Sequence, residues 1–242
     1  MDEASHSLDR LAAATERLLA TAATLSDAQT REPSLLPGWT RGHVLTHIAR
    51  NADGLANLLR WARTGTEIPM YASAQSRTAD IEAGAVRPAA GLAQDVRASA
   101  AAFAAEAAGM PDDAWTAQVR ALHGPPFPAL GVLDRRLSEV EIHHVDLSAG
   151  YSPADWPDGF IADALPRVAD SFAGRKDTPC CLVWAQDAPH GYLIGPESSG
   201  NPPVIVHGPP ADLLAWLLGR SSGTTLRVTG EAVTAPALPA WG

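Results

Sequence analysis

The sequence predicts an α+β protein in which an antiparallel four-helix bundle, residues 1–150, precedes a small α+β domain, residues 151–242. Two patterns support this division. Apolar side chains recur at helical spacing through the first half of the chain, whereas short runs rich in β-branched residues appear in the second half. The composition, with 46% hydrophobic and 19% charged residues, gives a chain of 242 residues enough apolar surface to bury.

Four stretches of the first half have the periodicity of amphipathic helices. The first covers residues 5–25, with leucines among alanines. Thr40 is a suitable N-cap for the second helix, which ends near Gly65. The third and fourth helices are predicted at 88–108 and 132–149. Helices of this kind favour an antiparallel bundle, whose interior is a common place for metal sites.

Proline and glycine mark the connections between these helices. Segment 36–40, LeuProGlyTrpThr, breaks the chain before the second helix. We predict a loop over 64–73, where Pro69 lacks an amide donor, and irregular structure over 111–128.

The second domain has signals for both strands and helices. An apolar stripe between Phe160 and Phe172 predicts a helix, and another helix is predicted over 211–220. β-Rich runs predict strands at 180–184, 192–195, 203–208 and 225–230. We expect these strands to pair in hairpin order, with the helices beside the sheet.

Composition and charge argue against several classes of function. The net charge is −9 and no basic run exists, so a nucleic-acid partner is not expected. No apolar run approaches the length of a membrane span, and no N-terminal signal pattern is present. We therefore expect a cytoplasmic protein without membrane contact, and a monomer because no large apolar face is left unpaired. The adjacent Cys180 and Cys181 form no disulfide framework and are predicted to lie in a buried strand.

Three residues form a candidate metal site. Glu139 and His143 are four residues apart in a predicted helix, so their side chains project from the same face. His47 lies on the inward face of the second helix and can supply a third ligand. Two imidazoles and one carboxylate, with an open coordination position, are a common ligand set for a catalytic divalent metal, most often zinc. The alternative is a direct ion pair between Glu139 and His143 without a metal.

Other titratable residues lie near these three. His43, four residues before His47, is the second choice as a ligand. Glu141 and His144 are alternative ligands because they lie close to the predicted Glu–His pair in the sequence. Glu141 is not four residues from either histidine, and His144 is expected to pack or to hydrogen-bond in support of the site. Asp146 either orients the imidazole three residues before it, by accepting its other N–H, or pairs with a nearby arginine.

Several segments carry a resemblance to one family. The N-terminal signature and the metal-binding helix of the mycothiol-dependent maleylpyruvate isomerases, which belong to the DinB-like metal-binding four-helix superfamily, are similar to LeuLeuProGlyTrpThrArgGlyHisValLeuThrHisIle (35–48) and SerGluValGluIleHisHisValAspLeu (138–147). Further segments of these isomerases resemble TrpAlaArgThrGlyThrGluIleProMetTyr (61–71) and LeuLeuGlyArg (217–220). The resemblance covers nearly the whole chain in the same order, and segment 61–71 favours the isomerase branch of the superfamily.

The resemblance implies a site and a reaction. By position, the family's metal ligands fall on His47, Glu139 and His143, and its important C-terminal arginine falls on Arg220, a suitable clamp for a substrate carboxylate. The implied cofactors are mycothiol and a divalent metal, which we expect to be zinc. The implied reaction converts maleylpyruvate to fumarylpyruvate: the metal-activated thiolate adds to the double bond, the resulting single bond rotates, and elimination leaves the trans product.

Some roles stay open at this level. Arg50 and Asn51, one turn after the first ligand, contact the thiol cofactor or the substrate, or else lie at the rim of the site. Tyr71 either donates a proton or forms a wall of the pocket. Glu141 and His144 depart from the family pattern, and we expect them to place extra titratable groups near the metal.

Two other functions compete with isomerisation. A mycothiol S-transferase would use the same metal and thiol but keep the adduct instead of expelling the thiolate. A non-catalytic carrier would bind an apolar ligand in the α+β domain and hold Glu139 and His143 as an ion pair. For an enzyme, the expected partners are a small anionic substrate and a low-molecular-weight thiol.

Overall fold

The chain folds as two units, Met1–Tyr151 and Ser152–Gly242, in the computed structural model of the protein. The structure describes residues 2–186, 188–196, 203–230, 232 and 234–241. Within these ranges, no helix has both the length and the apolarity needed to cross a membrane.

Four long helices build the core of the first unit, as predicted. The helices of this unit are α1 (Asp2–Thr24), α2 (Asp27–Thr30), α3 (Arg41–Thr64), α4 (Ala74–Ala85), α5 (Ala89–Ala108) and α6 (Gly131–Asp146). α3 packs against α5 and α6, and α1 packs against the same two helices from the other side. The buried stripe of α3 includes Val44, Ile48, Leu55 and Leu59. α3 is therefore a central element of the bundle, and α4 also packs on it.

The two ends of α3 follow from its sequence. The hydroxyl of Thr40 accepts from the backbone N–H of His43, and the Thr40 N–H donates to His43 Nδ1. Gly65 ends the helix in the left-handed conformation, with φ 70°, and its N–H donates to the carbonyl of Trp61. Both predicted caps are confirmed.

Arg41, the first residue of α3, binds the C-terminal end of α6. Its Nε donates to Leu147 O at 2.6 Å, and its Nη2 donates to Ser148 O at 2.9 Å. The backbone N–H of Leu35 donates to Asp146 O at 3.0 Å. These bonds reach carbonyls that a helix leaves unpaired at its end, and they hold the start of α3 against the end of α6.

The structure differs from the prediction at two connections of the first unit. We predict no element at 74–85, but this segment forms α4; it has no apolar stripe and buries only Ile81, Gly84 and Ala85. Segment 111–128, predicted to be irregular, contains a 3-10 turn and two short antiparallel strands, β1 (Gln118–Val119) and β2 (Phe127–Pro128). Each strand has two residues, too few for a period-two pattern to be visible in the sequence.

The second unit combines two helices with a mixed sheet. Its described elements are α7 (Asp158–Phe172), β3 (Cys181–Ala185), β4 (Tyr192–Ile194), β5 (Val204–Gly208), α8 (Pro210–Leu217) and β6 (Arg227–Thr229). The strand order is β4-β3-β5-β6, with β3 and β5 parallel and the other pairs antiparallel. Hairpin order is therefore wrong for β5, which pairs with β3 instead of β4. β3 buries Cys181, Val183 and Ala185, as suits a central strand.

α3 and α4 approach closely at two glycines. A Cβ atom on Gly42 would lie 2.3 Å from Ala85 O, and one on Gly84 would lie 2.4 Å from Thr46 Cγ2. Neither glycine has a positive φ, so close contact between the helices, not backbone conformation, requires them. The spacing between α3 and α4 therefore depends on the absence of two side chains.

A substitution at this contact tests the packing. Gly42→Ala is expected to lower the free energy of unfolding by about 1–3 kcal/mol, because its Cβ would overlap a backbone oxygen that cannot rotate away. Gly91→Ala is the matched control: Gly91 lies in α5 with nothing within 4 Å of a new Cβ. The control should be neutral or stabilising by up to about 1 kcal/mol. Chemical denaturation measures both values, and similar effects in the two variants would contradict the close packing.

Asp95 of α5 connects neighbouring elements through two arginines. Arg50 Nη2 donates to Asp95 Oδ1 at 2.9 Å, and Arg87 Nη2 donates to Oδ2. Burial alone would raise the pKa of Asp95, but the hydrogen bonds from Arg87 and Arg50 lower it below the ordinary value of 3.8. The ionised carboxylate therefore stabilises the folded state.

The stability change in Asp95→Asn should depend on pH. A carboxylate whose pKa is depressed by folding stabilises the protein above its unfolded pKa, and this stabilisation is lost as the pH falls through the folded pKa. The difference in urea midpoint between wild type and variant should thus be largest at about pH 7 and shrink below about pH 4. A difference that is constant over this range would mean that the charge of Asp95 is not responsible.

Candidate metal centre

α3 and α6 bring the three predicted ligands together. His47 Nε2 lies 3.0 Å from Glu139 Oε2 and 3.0 Å from His143 Nε2, and the last two atoms are 3.2 Å apart. His47 belongs to the second turn of α3, whereas Glu139 and His143 belong to the last two turns of α6. We call these three residues the His–Glu–His cluster.

The cluster fits a divalent metal ion. Its three ligand atoms form a nearly equilateral triangle, with sides between 3.0 and 3.2 Å. Around a tetrahedral zinc ion with ligands at about 2.0–2.2 Å, neighbouring ligand atoms are about 3.3–3.6 Å apart, so a shift of a few tenths of an ångström lets all three bind one ion. In the part of the chain that the structure describes, no other group of three His, Cys, Asp or Glu side chains has such a geometry.

Asp146 orients the ring of His143. The Nδ1 of His143 donates to Asp146 Oδ2 at 2.7 Å, and Asp146 is fully buried. Because Asp146 keeps the proton on Nδ1, Nε2 is the ring nitrogen that faces the cluster and can give up its proton to bind an ion. Burial alone would lower the pKa of His143, but its bonds to Asp146 and Glu139 raise it above 6.5. Of the two roles considered for Asp146, orientation of the ring is therefore the one observed.

The ring of His47 is enclosed on several sides. The Trp39 indole meets it edge-on with ring centroids 5.5 Å apart, and the His143 ring does so at 4.5 Å. Arg77 Nη2 donates to His47 Nδ1 at 3.0 Å. Burial and the nearby His143 lower the pKa of His47 to about 4. The imidazole is therefore neutral near pH 7, as a metal ligand must be.

Glu139 supplies negative charge at the open side of the cluster. Burial alone would raise its pKa, but the hydrogen bonds with His143 and His47 lower it well below 4.5. The group is therefore an ionised carboxylate at neutral pH. Its side chain is 30% exposed, compared with 6% for His47, so solvent reaches the cluster from the Glu139 side.

Arg77 is a site residue that the sequence did not indicate. It lies on α4, where we predict no helix, and its guanidinium lies 5.7 Å from the centroid of the Tyr71 ring. Burial raises the pKa of Tyr71 above 10, which keeps its hydroxyl protonated. Ser73 is the sequence signal that marks this helix, because its hydroxyl caps α4 by accepting from the N–H of Ser76.

Arg50 and Asn51, the predicted cofactor contacts, have partners inside the bundle. Arg50 Nε donates to Asp53 Oδ2 at 2.9 Å, in addition to its bond with the α5 carboxylate. Asn51 is 1% exposed, and its Oδ1 accepts from Arg136 Nη1 at 2.9 Å. The same nitrogen of Arg136 donates to Ile48 O at 2.9 Å. Neither predicted residue belongs to the His–Glu–His cluster, and their role toward a cofactor stays a prediction.

Arg220 lies in the second unit, just after α8. Its backbone N–H donates to Ala215 O at 2.8 Å, and its Nη1 donates to Leu218 O. Both bonds close the C-terminal end of the helix. The role of Arg220 as a substrate clamp stays a prediction.

Glu141 and His144 face α1 instead of the cluster. Glu141 Oε1 accepts from Arg17 Nη2 at 2.6 Å, and His144 Nε2 lies 2.7 Å from Thr21 Oγ1. The expectation that both residues place titratable groups beside the metal is wrong, because their positions on α6 direct them to the other neighbouring helix. The alternative ligand His43 is part of the α3 cap.

Two segments of the chain match one family in order. Residues 11–148 match the description "Mycothiol maleylpyruvate isomerase N-terminal domain", and residues 155–237 match "MDMPI C-terminal domain". The first match alone covers more than half of the chain. The chain belongs to the mycothiol maleylpyruvate isomerase family.

Solved structures of this isomerase family are similar over nearly their full length. One is named as the mycothiol-dependent maleylpyruvate isomerase, and another as a mutant of it in which a histidine is replaced by alanine. Each has a TM-score of 0.90 and 28% sequence identity, and the similarity covers 98% of this chain and 97% of the other. The predicted fold class is thereby confirmed. No curated protein sequence matches the chain.

The orienting role of Asp146 in this family member can be tested by metal affinity. Asp146→Asn is expected to weaken binding of a divalent metal by about 10–100-fold, because an amide no longer selects the tautomer that directs Nε2 of His143 into the cluster. Competition with a chelator measures the affinity. Asp134→Asn, in the first turn of α6, is the control and should bind as the wild type does. Equal affinities for all three proteins would argue against the role.

Proposed function

We propose that this chain catalyses the mycothiol-dependent cis–trans isomerisation of maleylpyruvate to fumarylpyruvate. The observation that carries the proposal is the convergence of His47, Glu139 and His143 on one point, in a chain that belongs to the isomerase family. The two similar structures are named for this activity. Neither Cys180 nor Cys181 is required, since the reaction takes its thiol from mycothiol.

His47, Glu139 and His143 would hold the metal, for which we propose zinc. Two neutral imidazoles and one carboxylate leave a divalent ion with a net positive charge and an open position. When bound, the ion supplies a Lewis acid that lowers the pKa of a coordinated thiol, and mycothiol supplies that thiol. Asp146 keeps the His143 lone pair directed at the ion, and the Trp39 indole limits rotation of the His47 ring.

Cationic side chains are required because the substrate is an anion. Isomerisation adds negative charge to the conjugated system while the double bond is interrupted, and a guanidinium stabilises such charge when it also pairs with a carboxylate. Arg77 lies beside the cluster, in contact with His47. We retain Arg220 as the proposed carboxylate clamp and Arg50 and Asn51 as proposed contacts of the thiol. A cytoplasmic location and a monomeric state complete the proposal.

The test is an isomerisation assay on protein of measured metal content. Wild type should convert maleylpyruvate only when mycothiol is present. His47→Ala should lose the bound metal and the turnover together, since it removes one of three ligands. His43→Ala is the matched control: the residue lies one turn earlier on α3, outside the cluster, and its variant should retain stoichiometric metal and turnover.

The possible failures of this assay separate the competing functions. Stoichiometric metal without turnover would overturn the isomerase proposal and favour an S-transferase that acts on another electrophile. Absence of metal from the wild type, with no effect of His47→Ala beyond stability, would favour the non-catalytic carrier. Loss of metal in His43→Ala as strongly as in His47→Ala would contradict the ligand set.

A further inference from the structure

The two imidazoles of the cluster have opposite hydrogen-bond partners at their outer nitrogens. His143 Nδ1 faces Asp146, an acceptor, whereas His47 Nδ1 faces Arg77 Nη2 at 3.0 Å. A guanidinium has only donors, so Nδ1 of His47 must accept. A neutral imidazole carries one proton, which is then on Nε2 and is donated to Glu139 at 3.0 Å.

A metal ligand requires the other tautomer of His47. Coordination through Nε2 uses the lone pair of that nitrogen, and the proton of the neutral ring then lies on Nδ1. The proton has moved from one ring nitrogen to the other, and the charge of the ring is unchanged. The Nδ1–H group and the guanidinium of Arg77 are then two donors that face each other. Metal loading is therefore incompatible with the Arg77–His47 hydrogen bond.

Arg77 stays beside the cluster when this bond breaks. The close packing at Gly42 and Gly84 holds α4 against α3, and the guanidinium lies over the Tyr71 ring. Only the terminal atoms of the side chain need to move. A guanidinium released from Nδ1 of His47, beside a cationic metal site, is suited to a carboxylate, which it can bind through two parallel hydrogen bonds.

The geometry points to Arg77 as a substrate anchor that metal loading transfers from His47 to a carboxylate of the substrate. Without metal, Arg77 stabilises the tautomer of His47 that cannot bind an ion, so it competes with the metal. With metal, the same guanidinium is available to the anion. This inference rests on the proposed function, which supplies a substrate that carries carboxylates.

Two substitutions of Arg77 and one control test the inference. Arg77→Met keeps an apolar stem against Tyr71 but has no donor, and Arg77→Lys keeps the charge without the planar fork. Arg63→Met is the control. Arg63 makes an ion pair with Glu106 at 3.0 Å, and it lies sixteen residues after His47 on α3, about 24 Å along the helix.

The first measurement is the affinity for Zn²⁺, by chelator competition without thiol or substrate. Arg77→Met should bind Zn²⁺ roughly tenfold more tightly than the wild type, because one charge-assisted hydrogen bond no longer has to be broken. Arg63→Met should bind as the wild type does. A purely structural role for Arg77 predicts the opposite sign, since a loosened site binds metal more weakly. Unchanged or weaker binding in Arg77→Met would overturn the competition with His47.

The second measurement is the kinetics of the metal-saturated enzyme. In Arg77→Met the KM for maleylpyruvate should rise roughly tenfold or more, with a smaller change in kcat, because the lost contact is to a carboxylate and not to the reacting double bond. Arg77→Lys should restore part of the loss. An unchanged KM in Arg77→Met would overturn the anchor.

The two measurements keep this inference separate from the proposed function. If wild type with metal and mycothiol fails to convert maleylpyruvate, the proposed function fails, and the anchor fails with it. The Zn²⁺ affinities of Arg77→Met and Arg63→Met still decide whether Arg77 competes with the metal for His47, because they require no turnover.

Discussion

The meeting of two imidazoles and one carboxylate within 3.2 Å is the constraint on which the rest of the first unit depends. Groups of this kind lose hydration when they are buried, and they are stable only if every proton and lone pair has a partner. The cluster meets this condition through its neighbours. Asp146 accepts from one ring, Arg77 donates to the other, and Glu139 Oε2 lies within hydrogen-bonding distance of both rings.

Hydrogen bonds join α3 and α6 on both sides of the His–Glu–His cluster. Arg41 at the start of α3 binds the carbonyls at the end of α6, and Arg136 of α6 binds Ile48 O and Asn51 on α3. Because the two helices run antiparallel, the cluster lies between these two arginines along their contact. Arg136 is 1% exposed, and burial lowers its pKa to about 10. A buried guanidinium is tolerated here because a backbone carbonyl and an amide accept from it.

Local sequence features were sufficient for much of this architecture. Thr40 and Gly65 marked the ends of α3, and the spacing of Glu139 and His143 placed both on one face of α6. His47 was predicted as a ligand from its inward position and from a family resemblance. Each of these inferences uses residues within one helix or a motif long enough to compare.

Features that depend on distant contacts were not predictable in this way. β5 pairs in parallel with β3, and the sequence alone does not show which neighbouring strand it pairs with. α4 has no apolar stripe, so neither the helix nor Arg77 was predicted. The spacing within α6 showed that Glu141 and Glu139 point in different directions, but only the packing of α1 shows that Arg17 receives Glu141. Which neighbour covers a helix face is a property of the tertiary fold, not of the helix.

The bonds that Arg41 and Arg136 make between α3 and α6 have a consequence for how the proposed metal would enter and leave. Arg41 and Arg136 join α3 to α6 without any help from an ion, so the ligands are assembled before the ion arrives. Uptake of the proposed ion would then require its dehydration and a local change of side-chain contacts, and the helices would not have to assemble around it. This differs from small zinc-binding domains, in which chelation unfolds the chain. The metal that we propose here would be removable and exchangeable while the fold persists, so the supply of ions, and not folding, would decide which metal the site holds.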